Sequence, residues 1–260
     1  MRRTSAITSW TFIGLVLVFL FLPVVTVVLF AFNSVNSTSS FASFSLRWFD
    51  SLRHNEEFWQ AFGNTAKAAL LTVVIDELIA IPAAIGLVSR GVRAKALITS
   101  ALSVSLVVPG LVLGIALISL VSRMQLTLGL STVVVGHVIV TFPIVVFVLV
   151  ARLERLDLSV VSAARDLGAS GPTAFRRVML PLLLPAVVGS AMLAAAWSID
   201  EFLVTLFTNG GAVTLPVYLY GQLAKYGATP SFNAIAACMI VLTVAATLIA
   251  GRFVRVTDLR

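Results

Sequence analysis

The 260-residue chain is 59% hydrophobic and only 11% charged, with eighteen Lys and Arg against eleven Asp and Glu for a net charge of +7. Its mean hydropathy of +1.06 exceeds what a soluble domain of this length needs, so the class is an all-α, polytopic membrane protein. A sequence pI near 10.5 would suit nucleic acid, but the basic residues gather at the ends of apolar runs and form no stripe; they read as topology signals, and nucleic acid is excluded as a partner.

The first apolar run, residues 10–32, has 23 residues and spans about 35 Å as a helix, enough to cross a bilayer. Met1-Arg2-Arg3 ahead of it resembles the start of a signal peptide, but the run is long for one and ends in Ala31-Phe32-Asn33-Ser34 without a small-x-small cleavage pattern, so a retained span is expected. Asn33 to Glu57 is Ser-rich and polar, an exposed loop with a short amphipathic piece around Leu46 to Leu52. Further runs at about 62–88, 96–121, 126–150, 179–207 and 232–253 bring the expected number of spans to six, within a single transmembrane domain over 1–260. Even parity puts both termini on one side. That side then holds thirteen of the eighteen basic residues, Arg90, Arg93, Arg152 and Arg260 among them, against Arg47, Arg53, Lys67, Arg123 and Lys225 opposite. The imbalance predicts cytoplasmic termini. Prolines at 82, 109, 143, 181 and 185 interrupt the runs, and each frees a carbonyl and bends its helix.

Between the fourth and fifth runs lies a polar loop, about 151–178, that contains Ser162-Ala163-Ala164-Arg165-Asp166-Leu167-Gly168. Ser162 to Leu167 suits a short helix with a small-residue surface at Ala163 and Ala164, ended by Gly168 in a positive-φ position. Gly171-Pro172 turns the chain, and Pro172 or Thr173 starts a helix that runs into the fifth span. A helix-turn-helix with a small-residue face on the cytoplasmic side is a docking surface. The spacing resembles the coupling loop of ATP-binding-cassette (ABC) importer permeases: Ala-Ala, three residues, Gly, nine residues, then an apolar residue, any residue, Leu-Pro, here Val178-Met179-Leu180-Pro181. Ser162 stands where that family has glutamate. Phe32-Asn33-Ser34, Asn64-Thr65, Ser198 to Phe202, Leu215-Pro216 through Tyr220 and Asn233-Ala234 further resemble, in their order, the spermidine/putrescine importer branch.

The resemblance implies a type I ABC importer transmembrane fold. It implies a second permease subunit, two ATPase subunits and an external substrate-binding protein as partners, in the inner membrane of a bacterial cell. The chain has no G-x-x-x-x-G-K-[ST] phosphate loop, so it is expected to hold no cofactor, with ATP and Mg bound by the partner ATPase. Coupling to that ATPase is assigned to Ser162, Ala163, Ala164, Asp166 and Gly168.

Two acidic pairs lie inside spans, Asp76-Glu77 in the second and Asp200-Glu201 in the fifth, and buried carboxylates face an interior or a wet cavity. The branch carries an acidic pair near its substrate at the second of these places, so Asp200, Glu201 and Trp197 are taken as the substrate path, with Val204 on the same helical face. For Asp76-Glu77 neutralisation by a basic group or by protonation is the simpler reading. Adjacent helical residues point about 100° apart, so Asp200 and Glu201 cannot share a proton as a protease dyad. His137 reads as a hydrogen-bonded packing residue, and no nucleophile or zinc constellation is present, so no catalysis is expected. The reading is a permease subunit of an ABC importer for spermidine/putrescine-like cations. The branch's polyamine members often have an acid after the third-span proline; Gly110 follows Pro109 here, which leaves other small amines and opine-like solutes open. An ion-coupled carrier is the rival class.

Overall fold

The computed structural model describes residues 2–89 and 94–258, so Arg90, Arg93 and Arg260 of the charge argument lie outside the described residues. In chain order the helices are α1 (Arg2–Ala31), α2 (Arg47–Arg53), α3 (Glu56–Val88), α4 (Lys95–Val107), α5 (Gly110–Arg123), α6 (Leu130–Leu153), α7 (Ser159–Asp166) and α8 (Gly171–Ala174). After a π-helical turn over Phe175–Met179 come α9 (Leu180–Asp200), α10 (Leu203–Thr208), α11 (Leu215–Tyr226) and α12 (Pro230–Asp258). Among the described residues the one extended pairing is an isolated bridge between Asn33 and Phe44. Trp10–Ala31, Glu56–Val88, Leu130–Leu153 and Gly171–Asp200 are each long and apolar enough to cross a membrane; α4 and α5 make a further, bent pair, and α12 opens with a shorter apolar stretch, Pro230–Ala245.

Two expected spans need correction. The third, 96–121, is not one rod: α4 and α5 meet at a bend of 102°. Pro109 disfavours helical backbone at the preceding residue, and Val108 is extended at φ −65° and ψ 123°. The fifth, 179–207, ends early, because Glu201 leaves the helix at φ −69° and ψ 106° and α10 starts anew at Leu203. Pro82, Pro143 and Pro185 by contrast sit inside continuous helices. Pro181 comes two residues after the π-helical turn; it has no N–H to offer the carbonyl of Arg177, and the turn before it widens.

The chain divides into two compact units. One joins the residues up to 59 with 218–242. In it the apolar side chains of α1 from Trp10 on are mostly exposed. The loop that follows is built on Asn33, which is fully buried. Its Nδ2 donates to the carbonyls of Ser37 and Ser40, each at 2.8 Å, and its Oδ1 accepts the Ala42 N–H at 3.0 Å. The Asn33 carbonyl takes the indole N–H of Trp48 at 2.7 Å, and Phe32 packs its ring 4.9 Å from that of Phe49. The Phe32-Asn33-Ser34 signature is thus the knot of the loop. Asn33→Ala removes three part-buried hydrogen bonds, each of which contributes ~0.5–1.5 kcal/mol. It is expected to speed proteolytic cleavage within 34–45, whereas an unchanged cleavage rate would mean that the loop is held elsewhere.

The other unit joins 60–217 with the residues from 243 on. Its core sets Ala80, Ala84 and Leu87 of α3 against Val145, Val146, Leu149 and Leu153 of α6, and Leu183 and Ala194 of α9. Small residues on α3 and α9 let the larger β-branched and Leu side chains of α6 fill the space between them. Thr65 accepts the Leu215 N–H at 2.8 Å and donates to the Ala61 carbonyl, while Asn64 donates to the Val213 carbonyl at 3.0 Å. Asn64-Thr65 therefore pins the chain that enters Leu215-Pro216.

Candidate functional site: a broken fifth span and a cytoplasmic docking helix

Leu193, Ala196, Trp197, Asp200 and Glu201 line one open recess of about 290 Å³. The first four recur at three- and four-residue spacing on the last two turns of α9, which is why they share a face. Glu201 joins them from the unwound residue beyond. The expectation that Val204 continues this face is corrected: it belongs to α10 and is fully buried. Its seat is a close approach at Gly136, where a Cβ would lie 2.5 Å from Val204 Cγ1.

The two acids of the recess differ in what they do. Glu201 Oε1 accepts the Val204 N–H at 3.1 Å, serving the opening turn of α10. A Cβ on Gly110, the first residue of α5, would stand 3.6 Å from the same oxygen, so the break in the third span lies beside the break in the fifth. Asp200 is exposed, and among the described residues its Oδ1 has only the Thr243 hydroxyl, at 3.5 Å. It is also the last residue of α9, whose final carbonyls lack intrahelical partners and whose last turn carries no basic residue. A carboxylate on the negative end of a helix is an arrangement that favours a cation.

The other intramembrane pair is held differently. Asp76 is fully buried, with the Thr141 hydroxyl on Oδ2, and Glu77 Oε1 accepts from Ser190 at 2.7 Å. Among the described residues Asp76 Oδ1 and Glu77 Oε2 have no hydrogen-bond partner, and the ion pairs are Arg53 with Asp50 and Lys95 with Glu154, so neither acid has a basic neighbour. Glu77 lines an apolar cleft of about 900 Å³ with Val73, Ile81, Phe175 and Leu180. His137 is buried and hydrogen-bonded through both ring nitrogens.

The loop at 151–178 forms the expected pair of helices with shifted bounds: the first runs over Ser159–Asp166 and the second starts at Gly171. Asp157 receives the Ser159 N–H at 3.0 Å, and hydrogen bonds from the Ser159 side chain and then its backbone hold the Asp157 carboxyl below the usual range. At the other end the N–H of Gly168 bonds to the Arg165 carbonyl and that of Ala169 to the Ala164 carbonyl, with Gly168 at φ +90°. This is a Schellman cap, and it needs a residue without Cβ strain. No side chain of α7 is fully buried. Val160, Ala163, Ala164 and Leu167 follow one another at helical spacing, and Leu167 is 89% exposed. Ser162, Ala163 and Asp166 are exposed alongside them. The small-residue reading missed Val160 and Leu167, although their three- and four-residue spacing from Ala163 and Ala164 was there to find.

The family model described as "Binding-protein-dependent transport system inner membrane component" matches residues 78–259. The chain is 31% identical over 235 residues to the spermidine/putrescine transport system permease protein PotC of Haemophilus influenzae, covering 90% of this chain and 91% of that one. It is 29% identical to the putrescine transport system permease protein PotI of Escherichia coli, with 90% and 86% covered. Among solved structures, a chain of a bacterial ABC transporter involved in the import of the acidic polysaccharide alginate superposes with a TM-score of 0.76 at 16% identity, over 96% of both chains. A chain of the MetNI methionine ABC transporter superposes at 0.61 and 18% identity, over 76% of this chain and 93% of that one. At these identities the structures speak for the fold alone.

Proposed function

The chain belongs to the family of binding-protein-dependent transport system inner membrane components, and from that premise we propose that it is the permease subunit of an ATP-driven importer for spermidine- or putrescine-like cations. The observation that carries the substrate class is Asp200: an exposed carboxylate at the C-terminal end of α9, without a basic partner among the described residues, in one recess with Trp197 and Leu193. An alkylammonium finds there an anionic partner, a ring for cation–π contact at ~0.5–2 kcal/mol and an apolar wall for its methylenes. The similarity to the PotC and PotI permeases supports the same class.

The partners in this reading are a second permease subunit, two ATPase subunits that hold ATP and Mg, and an external substrate-binding protein. The α7 face formed by Val160, Ala163, Ala164 and Leu167, with Ser162, Asp166 and Gly168 beside it, receives an ATPase subunit. Closure of the ATPases pulls on this helix and tilts the spans, which opens the path alternately to each side. Loading of the binding protein sets which cation arrives, and uptake of labelled spermidine and putrescine in competition with other amines tests the class.

Orientation follows from the positive residues, with both termini and α7 in the cytoplasm of a bacterial cell and Asn33 to Glu57 outside. In a background free of Cys238, a cysteine at Ser39 is expected to react with an impermeant thiol reagent added to whole cells, and one at Ser170 to react only after lysis. The opposite pattern would invert the orientation.

A further inference from the structure

The imidazole of His137, 1% exposed on α6, stands between the two pieces of the broken fifth span. Its Nδ1 lies 2.7 Å from Ser198 Oγ, two residues before Asp200 on α9. Its Nε2 lies 2.7 Å from Thr205 Oγ1 on α10. The Thr205 hydroxyl donates to the Glu201 carbonyl at 2.9 Å, the first carbonyl beyond Asp200. Each proton can then be placed once: Thr205 gives its proton to Glu201, Nε2–H donates to Thr205, and Nδ1 accepts from Ser198. The ring thereby bonds to both sides of the residue pair that leaves the helix. The anchoring element is itself fixed, because Val204 of α10 closes on Gly136, the neighbour of His137.

We propose that His137 is a positioning residue for the cation site, holding the end of α9 and the start of α10 in one register so that the Asp200 carboxylate stays directed into its recess; the role rests on the amine reading given above. Glu201 and Phe202 fall between the two helices, with the Phe202 carbonyl already taking the Leu206 N–H at 2.8 Å, and a carboxylate beside such a joint keeps its direction when both flanks are tied. Ser198 and Thr205 are the ties, and a single buried ring serves both. A hydrophobic residue of similar size fills the space but leaves both hydroxyls without the ring.

The test uses the assembled complex in a background in which Cys238 is Ser. The first readout is geometric: Val204→Cys, fully buried in the intact joint, is expected to react with a small maleimide at least fivefold faster when combined with His137→Leu. The second is the half-saturating cation concentration for uptake, expected to rise at least fivefold in His137→Leu. His137→Gln, which keeps a donor toward Thr205, is expected to recover part of both effects and guards against a variant that merely fails to assemble. Unchanged labelling in His137→Leu overturns the proposal whatever uptake does. Faster labelling with unchanged half-saturation, where Asp200→Asn does shift it, overturns the positioning role and leaves the amine site standing. If neither variant shifts half-saturation, the amine reading fails, and the positioning role falls with it.

Discussion

Asp200→Asn is expected to lower cation uptake, measured below half-saturation, by roughly 10- to 100-fold while the subunit still co-purifies with its partners. The substitution keeps the shape of the side chain and removes its charge. A hydrogen bond to a charged group contributes ~1.5–3 kcal/mol, and each ~1.4 kcal/mol is a factor of ten. Among the described residues Asp200 has only the long contact to Thr243 to lose, so folding of this subunit should not depend on the charge. Glu201→Gln is the matched control. Its Oε1 remains an acceptor for the Val204 N–H, so a smaller effect on uptake is expected from it. Equal uptake by Asp200→Asn and the parent would leave the recess as a structural notch and remove the support it gives to an amine substrate.

The second large effect is expected at the docking helix. Gly168→Trp should abolish substrate-stimulated ATP hydrolysis while the protein still inserts in the membrane. Among the described residues, and its chain neighbours apart, no atom lies within 4 Å of a Cβ at Gly168, so the first atom of a side chain there meets open space. The cost of the substitution lies in the backbone: a bulky residue at φ +90° is strained by roughly 1–3 kcal/mol. Against that stands an eight-residue helix, too short to hold itself without its cap. Ala163→Asp tests the same face away from the Gly168 turn, since it sets a charge in the middle of the exposed apolar stripe, and it should uncouple hydrolysis as strongly. Full stimulation in both variants would show that the ATPase does not dock on α7.

Much of this was legible in the chain because its signals are local. Apolar run lengths report membrane spans directly, and the cap at Gly168 follows from one glycine after a small-residue helix. Phe32-Asn33-Ser34 and Asn64-Thr65 were visible as signatures, but their work as knots was not, since Asn33 bonds within an irregular loop that has no periodic pattern and Thr65 bonds to a backbone group 150 residues away. The breaks in the third and fifth spans were hidden for a different reason. Pro109 follows the end of its helix while Pro143 and Pro185 lie inside theirs, so the presence of a proline in an apolar run does not by itself say where the run breaks. The end of α9 at Asp200 lacks even a proline. Around it Glu201 serves the N–H of Val204, and His137 reaches Ser198 and Thr205 across the fold at separations of 61 and 68 residues in the chain, which no local signal announces.

The most direct test of the central claim is uptake of labelled spermidine or putrescine into proteoliposomes that contain this chain with its partner permease and ATPase subunits, loaded binding protein outside and ATP within. The account expects accumulation that stops when ATP, the binding protein or the ATPase is left out, and that falls with Asp200→Asn. Accumulation by this chain alone, driven by an ion gradient without ATP, would contradict it.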